Sequence, residues 1–187
     1  MQNKKQIITL QDGSKVEAQV PIIISASRST DIPAFYSDWF VSRWEKGYIK
    51  WTNPFNGQPL YVSFKNTRLV VFWTKNPRPM FKHLDYLDKS IPNYYFQFSL
   101  NDYDKEKYEA KVPSVESRIK TFKELSQRLG KKRVVWRYDP LILTKDIDVN
   151  ELLRRVENIG NQIHEFTEKL VFSFVDISIY KKVENNL

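Results

Sequence analysis

The sequence contains no cysteine, which removes disulfides, thiolate nucleophiles and iron–sulfur or zinc–thiolate ligation from this chain as given. Histidine is almost as scarce. His83 and His164 are the only two, both in segments of helical pattern, so neither a His-rich metal site nor a Ser–His triad is supported. His83 reads as a surface or packing residue. Glycine is sparse as well, at 5 of 187 residues, and no Gly-rich phosphate loop follows any of the strand-like runs. Long apolar stretches are missing too. Val20 to Ala26 is the longest, far below the roughly 20 residues of a membrane span. Near the N-terminus, Ile7 to Leu10 is too short for a signal-peptide core. These absences lead to the expectation of a cytoplasmic chain with no membrane partner.

What is present describes an ordinary globular protein. Hydrophobic residues make up 41% and charged residues 28%, and the aromatic share of 14% includes five Trp and ten Tyr. Such a chain can bury a sizeable core built of large rings, whose polar edges want hydrogen-bond partners. The net charge of +8 permits nucleic-acid binding. The basic residues are scattered, however, with short clusters only at Gly130-Lys131-Lys132-Arg133 and Tyr180-Lys181-Lys182. Solvated surface charge explains them better.

Hydrophobic patterning predicts an α/β architecture. Asp12-Gly13 between two alternating runs signals an N-terminal β-hairpin over residues 1–20. Continuous β-branched and aromatic runs then mark six main strands, at 22–27, 48–52, 69–73, 94–100, 133–138 and 170–175, with a short extra strand at 60–64. Helical spacing follows the first run, with Ile32, Phe35, Tyr36, Trp39, Phe40 and Trp44 in register. Thr30 or Asp31 can cap that helix and Gly47 can end it. Trp39, Phe40 and Trp44 read as core. Further helices are predicted at about 79–89, at 114–129, and from Asp148, where Glu151 three residues on completes a capping-box pattern. Strands separated by helices imply parallel crossovers. The expected fold over 21–187 is therefore a partial parallel (β/α) TIM-like barrel of about six strands, truncated or naturally short at its C-terminal end. An incomplete barrel would leave an open sheet edge through which the chain could self-associate.

Polar residues gather where the strand-like runs end. Arg28 and Asp31, then Lys75 and Asn76, then Arg137 and Asp139, then Asp176 occupy those positions. In parallel α/β folds strand C-termini share one face, and ligands bind there. Arginine forks and a lysine suit a carboxylate or phosphate, so the expected partner is a small anionic ligand. Each residue also has a plainer role. Asp31 can simply cap a helix, Asn76-Pro77 and Asp139-Pro140 are common turn dipeptides, Arg137 and Asp139 can pair with each other, and Asp176 can cap a helix. No catalytic constellation is complete.

Four strings, Ile24 to Tyr36, Phe72 to Pro77, Val135 to Pro140 and Ser173 to Asp176, occur in the same order as in an uncharacterised bacterial family, domain of unknown function 1848. From about Pro21 onward the chain resembles that family. The resemblance implies a C-terminal cysteine cluster similar to the iron–sulfur motif of radical S-adenosylmethionine enzymes, which are built on partial barrels. This sequence departs from the pattern there, since it has no cysteine. The resemblance thus implies the substrate-facing part of a radical S-adenosylmethionine-like enzyme. An iron–sulfur cluster and S-adenosylmethionine are expected only if a further C-terminal segment exists. The competing expectations are a basic nucleic-acid-binding module and a catalytically silent fragment.

Overall fold

Asp12 and Gly13 reverse the chain as their sequence predicts: Gly13 adopts a positive φ of 82°, and the Asp12 carboxylate accepts from the backbone N–H of Ser14. Strands β1 (Lys5–Thr9) and β2 (Lys15–Gln19) pair antiparallel around this turn. The computed structural model describes residues 5–27, 30–53, 56–109 and 111–174. The chain divides into two compact units, Met1–Tyr95 and Phe96–Leu187.

The first unit holds the remaining strands β3 (Ile23–Ser25), β4 (Tyr48–Thr52), β5 (Pro59–Ser63) and β6 (Leu69–Thr74). Strands β3 and β6 run parallel, as expected. Strand β4 does not join them. It pairs antiparallel with β5, and β5 pairs parallel with β2, giving a mixed four-stranded sheet of order β1-β2-β5-β4. The run at 48–52 was expected as a barrel strand, and the connection that follows it explains the difference. Asn53 accepts from the N–H of Gly57 and donates its own to Gln58, closing a turn that suits a hairpin and is too short for a parallel crossover.

Two helices stand where one was predicted. Helix α1 (Ile32–Phe35) stops at Tyr36, whose φ of −134° leaves the helical region, and α2 (Ser37–Lys46) then runs to Gly47 at a φ of 78°. Phe40 packs edge-on against Phe72 and stacks with Trp44, which stacks in turn on Phe64. Trp39, also expected as core, is instead 39% exposed. After β6 a 3₁₀ turn over Arg78–His83 leads into α3 (Leu84–Ser90). His83 contacts the Asp38 carboxylate through Nε2 at 2.6 Å.

In the second unit, β7 (Tyr94–Ser99, beginning at the unit boundary), β8 (Val134–Leu141) and β9 (Leu170–Phe174) pair in parallel. Helices α4 (Val115–Leu129) and α5 (Val149–Ile163) form the crossovers. Both start as the sequence predicts: Ser114 accepts from Ser117 N–H and Asp148 from Glu151 N–H. The capping box closes only one way, because the Glu151 carboxylate turns to Arg154 and Arg155. The expected turn at Asp139-Pro140 lies inside β8 with a cis peptide bond, at a register irregularity between Tyr138 and Leu141. Besides the β2–β5 contact, parallel pairing among the described residues involves β3, β6, β7, β8 and β9. The chain is mixed α/β, and among the described residues the expected six parallel strands are five, because β4 belongs to the other sheet.

Gly160 sits inside α5 against the Trp136 ring. A Cβ built there would meet the ring at 3.5 Å, an ordinary contact. Gly160→Ala is therefore expected to stabilise the fold by about 0.5–1 kcal/mol through helix propensity, measured by urea denaturation.

Candidate functional site

Asp31, Lys75 and Asn76 come together at the end of β6. Asp31 caps α1, with Oδ1 accepting from Ala34 N–H at 3.0 Å, while Oδ2 accepts from Lys75 N–H at 2.7 Å. The carboxylate thus ties the start of α1 to the strand end through the lysine's backbone. The Thr74 hydroxyl accepts from Asn76 N–H, and Asn76 Oδ1 accepts from Arg78 N–H, so the Thr74-Lys75-Asn76-Pro77 turn is held by its own side chains. Burial raises the Asp31 pKa above the usual carboxylate value and outweighs the donors that would lower it.

An Asp31→Asn variant keeps the size but turns one acceptor into a donor, setting it against a backbone N–H. The expected cost is about 1–2 kcal/mol in chemical denaturation. Because the folded-state pKa of Asp31 is raised, its contribution is full below the usual carboxylate pKa and declines as pH rises through the raised value. The gap between wild type and variant should narrow accordingly as pH rises.

Arg137 and Asp139 lie in the second unit on the other face of β8 from its buried residues. Val134, Trp136 and Tyr138 are buried, and Arg137 and Asp139 alternate with them. Strand β7 repeats the pattern, with Phe96 and Phe98 fully buried and Gln97 and Ser99 opposite. Period-two alternation therefore gives this sheet an apolar face and a polar face. On the polar face Arg137 donates to Gln97 Oε1 and to Asp139, and Ser173 of β9 donates to the other carboxylate oxygen of Asp139. Asn101, fully buried, locks the Asp139 backbone from both sides: Oδ1 accepts from its N–H at 2.9 Å and Nδ2 donates to its carbonyl at 3.1 Å. The plainer role, a pairing of Arg137 with Asp139, is thus realised. Arg28 and Asp176 lie outside the described residues.

Sequence reasoning did not assign Gln97 or Ser173 to the site. The signal for Gln97 was a lone polar residue inside Tyr94-Tyr95-Phe96-Gln97-Phe98, on the opposite face from its buried neighbours. Also missed were two nearly fully buried arginines. Arg118 donates to Asp104 and Glu109, and Arg155 to Glu106, Glu151 and the Asp102 carbonyl. Together they pin the loop after β7, whose Tyr103 hydroxyl donates to the Pro140 carbonyl and accepts from Ile142 N–H. Burial pushes the Tyr103 hydroxyl pKa well up. Among the described residues, no group of three or more His, Cys, Asp or Glu side chains is placed to hold a metal ion.

Residues 23–187 match the family described as a domain of unknown function, DUF1848. The chain belongs to that family. No curated protein and no solved structure matches it. In this DUF1848 domain, the described parts of the four strings that carried the resemblance run from β3 into α1, over the end of β6, along β8, and over the end of β9. Those strings contain Asp31, Lys75, Asn76, Arg137 and Asp139, as well as Ser173.

Proposed function

We propose that the DUF1848 domain binds a small anionic ligand or substrate on the polar face of its parallel strands, with Arg137 as the cation that meets it. The observation that carries this reading is the braced guanidinium, held by Gln97 and Asp139 while Ser173 and Asn101 fix Asp139. A fork held by neighbours on the same rigid sheet forfeits little rotamer entropy on binding a carboxylate or phosphate. Asp139 offsets part of its charge and sets its plane.

The finer reading makes this face the substrate side of a radical S-adenosylmethionine-like enzyme. The donor set of this chain does not fit an iron–sulfur cluster, since the sequence holds no cysteine, and its proposed role is binding alone. The net charge of +8 is the observation behind a second reading, a nucleic-acid-binding module.

Titration calorimetry with inorganic phosphate and with succinate separates the two. Saturable binding is expected in wild type and at least a roughly tenfold loss in Arg137→Met, a charge-assisted pair being the interaction removed. Circular dichroism checks that the variant stays folded. Binding that survives Arg137→Met sinks the assignment. Absence of small-anion binding, with duplex DNA bound in a steeply salt-dependent way, favours the second reading.

A further inference from the structure

The departure of β4 from the parallel strands leaves a gap inside the first unit. Among the described residues β3 is the terminal strand of its sheet, and the space beside it is a cavity of about 350 Å³. That volume lies in the range of small-molecule pockets. Its walls are mostly apolar and aromatic. Trp39 and Phe40 of α2 form one side, Ile49 and Trp51 of β4 another, and Phe64 and Ile24 complete them. Trp39 and Trp51 are each 39% exposed and Tyr36, also on the wall, is 50% exposed. Keeping large rings facing water around one hollow is costly unless something covers them.

Apart from the hydroxyl and indole N–H groups of its aromatic walls, the polar side chains among the described lining residues are Ser25 and Thr30. The backbone of β3 adds more. Ala26 N–H donates to the Val71 carbonyl and the Ile22 carbonyl accepts from Arg68 and Leu69, so the even-numbered residues point their peptide groups at β6. By the alternation of a parallel ladder, Ser25 points its N–H and C=O the other way, towards the open edge. A donor and an acceptor therefore sit side by side at the rim of an aromatic-walled hollow.

We propose that this cavity binds a flat heteroaromatic ring that carries a hydrogen-bond donor and acceptor along one edge. The ring would lie among Trp39, Trp51 and Tyr36, and its polar edge would pair with the Ser25 backbone as a further strand would. This site is separate from the anion site of Arg137 and does not depend on it.

Two soluble bicyclic probes differ by one ring atom. 7-Azaindole carries an adjacent donor and acceptor, whereas indole carries the donor alone. In calorimetric or ligand-observed NMR titrations of the full chain, 7-azaindole is expected to bind saturably and at least roughly threefold more tightly than indole. Trp51→Ala should weaken both by roughly fivefold or more, through lost stacking. Ser25→Pro should erase the preference for 7-azaindole and leave indole binding in place. It deletes only an outward N–H of a terminal strand, a position where proline is tolerated, and Ser25→Ala controls for the hydroxyl. Equal binding of the two probes to wild type, or a preference that persists in Ser25→Pro, overturns the reading of the edge. Failure of both to saturate at millimolar concentration overturns the site. Arg137→Met should leave every one of these values unchanged, so the two assignments stand or fall separately.

Discussion

Arg155→Ala is expected to lower folding stability by about 3 kcal/mol, read from the urea midpoint at constant slope. The side chain is 3% exposed although it sits on a helix otherwise patterned for a two-faced packing role. Its two terminal nitrogens reach both oxygens of Glu106 at 2.8 and 2.9 Å, its Nε reaches Glu151 at 2.7 Å, and one terminal nitrogen also donates to the Asp102 carbonyl at 2.7 Å. Truncation leaves the Glu106 carboxylate and a backbone carbonyl in a site built around a cation, and it empties the volume of a long side chain. Arg154→Ala makes the control. That arginine is exposed and bonds only Glu151 among the described residues, so little change is expected.

The same cluster sets an acid limit. The Arg155 hydrogen bonds hold Glu106 below the usual carboxylate range, and Arg154 and Arg155 pull Glu151 down to about 2. Carboxylates whose folded values are depressed contribute stability above their ordinary values, near 4.5, and lose it as pH falls towards the depressed ones. Wild type should therefore lose stability over that interval, and Arg155→Ala should show a flatter acid limb.

Phe122→Ala is expected to cost about 3–5 kcal/mol, the range for emptying a large ring from a core. Phe122 has no exposure, and its ring lies 5.4 Å from that of Phe98, itself fully buried on β7. It joins α4 to the apolar face of the second unit's sheet. Phe122→Leu keeps much of the volume and should cost far less, and thermal and chemical denaturation should rank the two variants alike. A small loss in Phe122→Ala would mean that α4 collapses into the vacated space.

Much of this fold was legible because its signals are local. The Ser114 and Asp148 caps need only residues three positions on, and the boundaries of β4, Tyr48–Thr52, agree with the sequence pattern. Pairing was not legible, since nothing in Tyr48 to Thr52 says whether its neighbour is parallel or antiparallel. The strand ends suggested one shared face for Asp31, Lys75, Asn76, Arg137 and Asp139, and what the structure shows is local contact, Asp31 with Lys75 and Arg137 with Asp139. Sequence suggested Lys75 for its ammonium, but the contact with Asp31 is made by its peptide N–H. Arg118 and Arg155 escaped because periodicity counts an arginine as polar, and their burial depends on acidic partners in a loop of no regular pattern.

The mixed sheet joins partners of unequal reach. Lys15 meets Thr9 and Thr52 meets Pro59 across short turns, so each hairpin can close on itself at low entropic cost. The parallel seam between them, Ala18 beside Tyr61 and Gln19 beside Val62, must instead draw together segments with all of β3, α1, α2 and β4 between them. Loop closure of that length is the slow element of such a sheet. Each hairpin thus rests on contacts local in sequence, whereas the order of the four strands as one sheet is fixed by the distant seam that unites them.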